Sequence, residues 1–183
     1  MIRTPRLQLL PASAQALRAS LVGADSLAAA LGVQVPASWP PDLYDADAIR
    51  HSLDWMNRHP GLEQWGPHYI VHRVRDAEPG VLVGVGGFKG PSSADGEVEI
   101  GYAIVAEFQR RGFATEAVRA WVEMALATPE VSVVVAHTLA SLAPSIGVLL
   151  KAGFEFVGEG HDPDAPAGEV VVRYAYPRSR DGA

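Results

Sequence analysis

The chain of 183 residues contains no cysteine, which excludes disulfides, thiolate metal sites and a cysteine nucleophile. Long apolar runs are missing too, and Met1-Ile-Arg-Thr-Pro-Arg6 lacks the apolar segment of a secretion signal. No membrane partner and a cytoplasmic location are therefore expected. Positive charge is in deficit: 15 lysines and arginines face 21 aspartates and glutamates. The net charge of −6 argues against a general nucleic-acid binder, whose affinity depends on a basic surface. His68 and His72 share one strand face but stand about 13 Å apart at the rise of a strand. One ion cannot be held by both, and no metal is expected. What is present, 48% hydrophobic and 20% charged residues, is the composition of a soluble globular protein. The length suits one domain with a full core, placed at residues 1–176, with 177–183 as a disordered tail.

The stretch from Glu97 to Ala117 carries the chemistry. Val98, Ile100, Tyr102 and Ile104 alternate with Glu97, Glu99, Gly101 and Ala103, the period of a strand with two different faces. From Ala114 the period becomes helical: Ala114, Val118, Trp121 and Ala125 form one stripe, with Glu116, Arg119 and Glu123 opposite. Between strand and helix lies Gln109-Arg-Arg-Gly-Phe-Ala114. Glycine permits a sharp turn there, and the next amides belong to a helix's first turn, which has no internal partners for its donors. Such a loop can hold an anion, favoured by the helix dipole and by Arg110 and Arg111. An ordinary strand-to-helix turn with two solvated arginines is the alternative.

Elsewhere the pattern supplies a frame. Residues 6–11 read as a short strand ended by Pro11, and residues 12–31 favour helix, with a break at Gly23 and a stop at Gly32. Pro36, Pro40 and Pro41 make the next segment irregular. Asp45 can cap a helix ending near His59. Trp39, Trp55 and Trp65, with Tyr44 and Tyr69, either wall a substrate pocket or form a second core under the loops. Residues 68–75 and 81–89 form a hairpin with its turn at 77–80. The run from Gly84 to Gly90 has the wrong spacing for a nucleotide loop and no helix after it, so its glycines serve close backbone packing. Residues 131–137 read as a strand covered on both faces, reached by a helical crossover and parallel to the first. A helix to Lys151, a stop at Gly153 and strands at 154–158 and 169–176 complete the chain. In the loop of residues 159–168, Asp162 and Asp164 either attract a cationic amine or are simply solvated.

Gln109-x-x-Gly112-x-Ala114, following a strand and opening a helix with Thr115-Glu-Ala, resembles the acetyl-coenzyme A pyrophosphate loop of the GNAT-family N-acetyltransferases. Glu99-Ile-Gly-Tyr102 is similar to that family's fourth strand. A second segment, residues 136–154, resembles its Asn-x-x-Ser…Lys-x-Gly-Phe run at Ser145, Lys151, Gly153 and Phe154. Together the two cover about half the chain, and the likeness is to the branch that contains the ribosomal-protein N-acetyltransferases. The resemblance implies an α/β domain: a mixed, twisted central sheet with helices on both faces, whose fourth and fifth strands splay to admit the pantetheine arm. It assigns acetyl-coenzyme A as cosubstrate, to be held by Ile104, Val105, Gln109, Arg110, Arg111, Gly112, Phe113, Ala114, Thr115 and Ser145. Backbone groups of Ile104 and its neighbours, left unpaired in the gap, would bond the arm's amides.

Two positions depart from the family. Leu142 stands where asparagine is usual and can neither cap the helix nor bond the cofactor. Leu149 stands where many members carry a tyrosine general acid. An amine must lose its proton before attack, and Glu99, near the loop, is the candidate base, with Glu97 in reserve. A purely structural pairing of Glu99 within the sheet is the alternative. The expected activity is acyl transfer to a primary amine by a monomer or homodimer. A coenzyme-binding sensor without turnover, or transfer of a longer acyl group, stands against it.

Overall fold

A computed structural model describes residues 1–74, 79–162 and 165–178. Local chemistry sets the helix limits. The Ser13 side chain accepts from the Ala16 amide to start α1 (Ala14–Val22), and Gly23 separates it from α2 (Ala24–Leu31), which stops at Gly32 in the left-handed region. Asp45 accepts from Asp47 and Ala48, both at 3.0 Å, at the head of α3 (Ala46–Arg58). The other helices are α4 (Phe113–Leu126) and α5 (Ala143–Ala152).

Among the described residues eight strands form one sheet: β1 (Ile2–Arg3), β2 (Leu7–Pro11), β3 (Pro67–His72), β4 (Val81–Phe88), β5 (Glu97–Ile104), β6 (Val133–Leu139), β7 (Glu155–Glu159) and β8 (Val171–Pro177). Their order is β1-β2-β3-β4-β5-β6-β8-β7, antiparallel everywhere except the β5–β6 pair, which the α4 crossover makes parallel. The expected hairpin is β3 and β4; residues 77 and 78 of its turn lie outside the described residues, as does Arg75. The two-residue β1 was not legible in the sequence. Pro177 still pairs with Val133, and Arg178 bonds the carbonyls of Ser132, Val131 and Thr128. Strand β8 thus runs one residue beyond the expected boundary at 176, and residues 179–183 lie outside the described set.

The sheet divides two cores. On one face Val98 and Ile100 of β5 pack with Trp121 and Val118 of α4, Leu149 of α5 and Phe154. On the other, Tyr69, Val71 and Val85 pack with Leu17, Leu27, Ile49 and Met56 of α1–α3, joined by Trp39 and Tyr44. The glycines of β4 are there for contact. A Cβ on Gly86 would lie 2.6 Å from Trp121 Cη2 and 2.7 Å from the Gly101 carbonyl. Gly86→Ala should therefore overpack the α4 face and cost about 1–3 kcal/mol, read from the denaturant midpoint. An unchanged midpoint would contradict this packing.

Candidate active site

The loop between β5 and α4 begins with a short 3-10 turn at residues 106–108, after which Gln109 is extended and Arg110 takes φ 61°, unusual for a non-glycine residue. Gly112 follows at φ 81°, a conformation that suits glycine, and caps α4. The helix ladder starts only where the Glu116 amide donates to the Gly112 carbonyl at 3.1 Å. The amides of Phe113, Ala114 and Thr115 are thus the open donors of a helix N-terminus. An open cleft beside them is lined by Gly112 and Thr115 and by charges of both signs, Arg3, Arg6, Arg119 and Lys151 with Glu116 and Glu123. Of the two loop arginines, Arg111 turns back: it donates to the Glu107 carbonyl at 2.9 Å and lies over the Phe108 ring.

A residue far away in sequence fastens this loop. Arg6, just before β2, donates to the Arg111 carbonyl at 2.9 Å, pairs with Glu116 at 2.7 Å and lies 4.8 Å over the Phe113 ring. Glu116 also accepts from the Thr4 hydroxyl at 2.6 Å and the Arg6 amide at 2.8 Å. Burial pushes the Glu116 carboxyl up, but these hydrogen bonds and the guanidinium charge outweigh it and hold it below its usual value.

The strands that the resemblance numbers four and five are β5 and β6, and they do part. They share only Glu97–Val133, Val98–Val134 and Glu99–Val135; beyond these, β6 continues paired with β8 alone. Val105 donates to Val83 and Glu99 accepts from Lys89, so by strand alternation Ile100, Tyr102 and Ile104 turn their backbone groups away from β4, toward the gap. One expectation needs correction: the Ile104 carbonyl is not unpaired, because it accepts from Gln109 Nε2 at 3.0 Å. Ser145, at the head of α5, meets Tyr102 across this region. The phenol donates to the Ser145 carbonyl at 3.0 Å and lies 3.2 Å from its Oγ. Burial pushes the Tyr102 phenol up to about 12, with the Ser145 bond opposing, so it is protonated at neutral pH. The Leu142 side chain caps nothing, and Leu149 is wholly buried.

On the opposite face, where the gap opens, charged groups converge. Glu99 Oε1 lies 2.6 Å from Lys89 Nζ and 3.1 Å from His137 Nδ1, and Asp162 Oδ2 lies 3.7 Å from the same ammonium. Glu97 is taken by Arg173. Glu99 is therefore the centre of a cluster drawn from the residue after β4, from β5 and β6 and from the β7–β8 loop. Asp164 lies outside the described residues. Lys89 and His137 were missed as site residues; the signal was there in their positions at a strand end and on the Glu99 face of β6. The tryptophans divide: Trp65 packs on Phe88 in the α4-side core, Trp55 stacks on His59, and Trp39 lies about 6 Å from the rings of Tyr44 and Tyr69. Among the described residues no cluster of ligands could hold a metal ion, and no helix is long and apolar enough to cross a membrane.

A mixed sheet whose central parallel strands part beside a helix N-terminus with open amides is the architecture of the acyltransferases that hold coenzyme A across such a gap. The family model of the acetyltransferase (GNAT) domain matches residues 6–155, and the chain belongs to that family. No curated protein matches it. Among solved structures it is similar to the microcin C7 self-immunity acetyltransferase MccE in complex with acetyl-CoA and AMP, with TM-score 0.66 at 16% identity over 96% of this chain and 94% of that one. A GNAT-family acetyltransferase from Bacillus anthracis gives 0.63 at 17% over 96% and 97%. The ribosomal L7/L12 α-N-protein acetyltransferase RimL, in complex with coenzyme A, gives 0.62 at 15% over 95% of each chain. These likenesses establish the fold.

The Arg6–Glu116 clasp has a pH signature. A depressed carboxyl contributes stability above its unfolded value, lost as pH falls through the lower folded one. The parent's melting temperature should therefore drop on acidification from that ordinary value, near 4.5, more steeply than that of Glu116→Gln, which is less stable at neutral pH. Parallel pH curves would show that the clasp contributes nothing.

Proposed function

We propose that the chain transfers an acetyl group from acetyl-coenzyme A to a primary amine. The observation that carries this reading is the placing of Glu99 at the mouth of the β5–β6 gap, with the open amides of α4 at the gap's other face. The residues suit the cosubstrate. The amides of Phe113, Ala114 and Thr115 can receive its pyrophosphate, and Arg110 adds charge at the same turn. Ile100, Tyr102 and Ile104 offer backbone groups toward the arm, with Gln109 needing to release the Ile104 carbonyl or bond beside it. Val105 closes this edge with its side chain in the core.

The protein's part in the reaction is positioning and proton transfer. Holding amine and thioester together removes much of the entropic cost of a two-molecule encounter. An arriving ammonium meets Glu99 and Asp162, two carboxylates that favour cations, and gives a proton to Glu99 directly or through water. His137, in contact with the same oxygen, can share it. With Leu149 in the core, no acid comes from that position, and a thiol can leave largely as thiolate. The buried Leu149 and the uncapped α5 also suit a sensor that binds the coenzyme without turnover; release of free coenzyme A in a screen of amines separates the two. Small amines, amino acids and protein N-termini are all within the acceptor class.

On any amine found in this way, Glu99→Gln should lower turnover by roughly 10²–10⁴ while leaving acetyl-coenzyme A affinity nearly unchanged, with partial recovery at higher pH. Glu97→Gln, which loses only its pair with Arg173, is the control. If the Glu97 variant loses turnover instead, the roles are exchanged; if neither does, base catalysis from this strand is ruled out.

A further inference from the structure

The chain has fifteen basic residues, and reading along it only two, Lys89 and Lys151, are lysines. One of them stands where the acceptor amine belongs. Lys89 follows β4, its amide donates to the Glu99 carbonyl at 2.9 Å, and its side chain crosses Gly101 with Cε 3.8 Å from where a Cβ would stand. Its Nζ ends 2.6 Å from Glu99 Oε1 and 3.7 Å from Asp162 Oδ2, while the side chain remains half-exposed. Glu99 is also the last β5 residue paired with β6, so the amine sits at the mouth of the gap. An arginine could make the same ion pair but is no nucleophile; a lysine can act as one once it gives up a proton.

We propose that Lys89 is an acetylation site of the chain's own activity, an acceptor presented in cis. This rests on the acetyl-transfer reading above. The ammonium gives one proton to Glu99, and the freed pair on Nζ attacks the thioester carbonyl carbon. The C–N bond forms as the C–S bond breaks, the bonding pair leaves on sulfur, and the second nitrogen proton ends on the thiolate. The products are N-acetyl-Lys89, free coenzyme A and the proton that Glu99 returns to solvent. The modification removes the positive charge from Lys89 and ends its ion pairs with Glu99 and Asp162, so that the lysine no longer competes with an incoming amine for Glu99. Acetylation is then a priming step for the acceptor site.

The test is incubation of the full chain with acetyl-coenzyme A and no added amine, followed by intact mass and peptide mapping, with binding of acetyl-coenzyme A read in parallel from the melting temperature. Lys89 should gain one acetyl group with a rate constant independent of chain concentration. That rate should exceed labelling of exposed Lys151 by at least roughly tenfold, as proximity requires. Glu99→Gln should slow it by roughly 10²-fold, and Lys89→Arg should abolish the label there. Labelling of Lys89 no faster than Lys151, or at a rate proportional to chain concentration, overturns the inference while the transfer reading stands. Failure to bind acetyl-coenzyme A removes that reading and the inference with it.

Discussion

A parallel strand pair that ends after three residue pairs is the constraint on which the rest of this molecule depends. Backbone donors and acceptors inside a sheet must find partners, and an edge opened in the middle of one is costly unless something closes it. Here the chain closes part of it: Gln109 folds back on the Ile104 carbonyl, and Tyr102 reaches over to Ser145. The flanking order is what keeps the gap from collapsing. Strand β6 is held on its other side by seven pairs with β8, and β5 is held by β4, whose glycines let the two backbones and Trp121 approach closely.

The same arrangement separates charges by face. Cations gather near the helix N-terminus of α4, where Arg6 is tied down by Glu116 and the Arg111 carbonyl. Carboxylates gather at the mouth of the gap, with Lys89 and His137 among them. A net charge of −6 distributed evenly would favour neither an anionic ligand nor a particular end of the gap. Divided as it is, it offers an anion one face and an ammonium the other. That division, rather than any single residue, is what the proposed reaction between a phosphorylated thioester and an amine would draw on.

What the sequence disclosed and what it hid follow from the range of the interactions. The period of β5, the change of period at α4, the cap at Asp45 and the stops at Gly32 and Gly153 are local, and all are where the residues place them. The two motif segments carried the family. Arg6 gave no signal, because its partners Arg111 and Glu116 are a hundred and more positions away. Lys89 and His137 were read as strand ends; only the register of β4 against β5, and of β5 against β6, brings them to one carboxylate oxygen. Glu99 was legible as a candidate, its partners were not. The brevity of β1 left it without a period to detect.

Amide hydrogen exchange with and without acetyl-coenzyme A reads the gap and the helix N-terminus at once. With acetyl-coenzyme A bound, exchange should slow at Phe113, Ala114 and Thr115 and at the gap-facing amides of β5, with little change in α1–α3. A Gly112→Asp chain, which puts a side chain and a negative charge at the φ 81° turn, should lose both effects. Protection confined to other parts of the chain, or equal protection in the Gly112→Asp chain, would contradict the assignment of the gap and its loop to the cosubstrate.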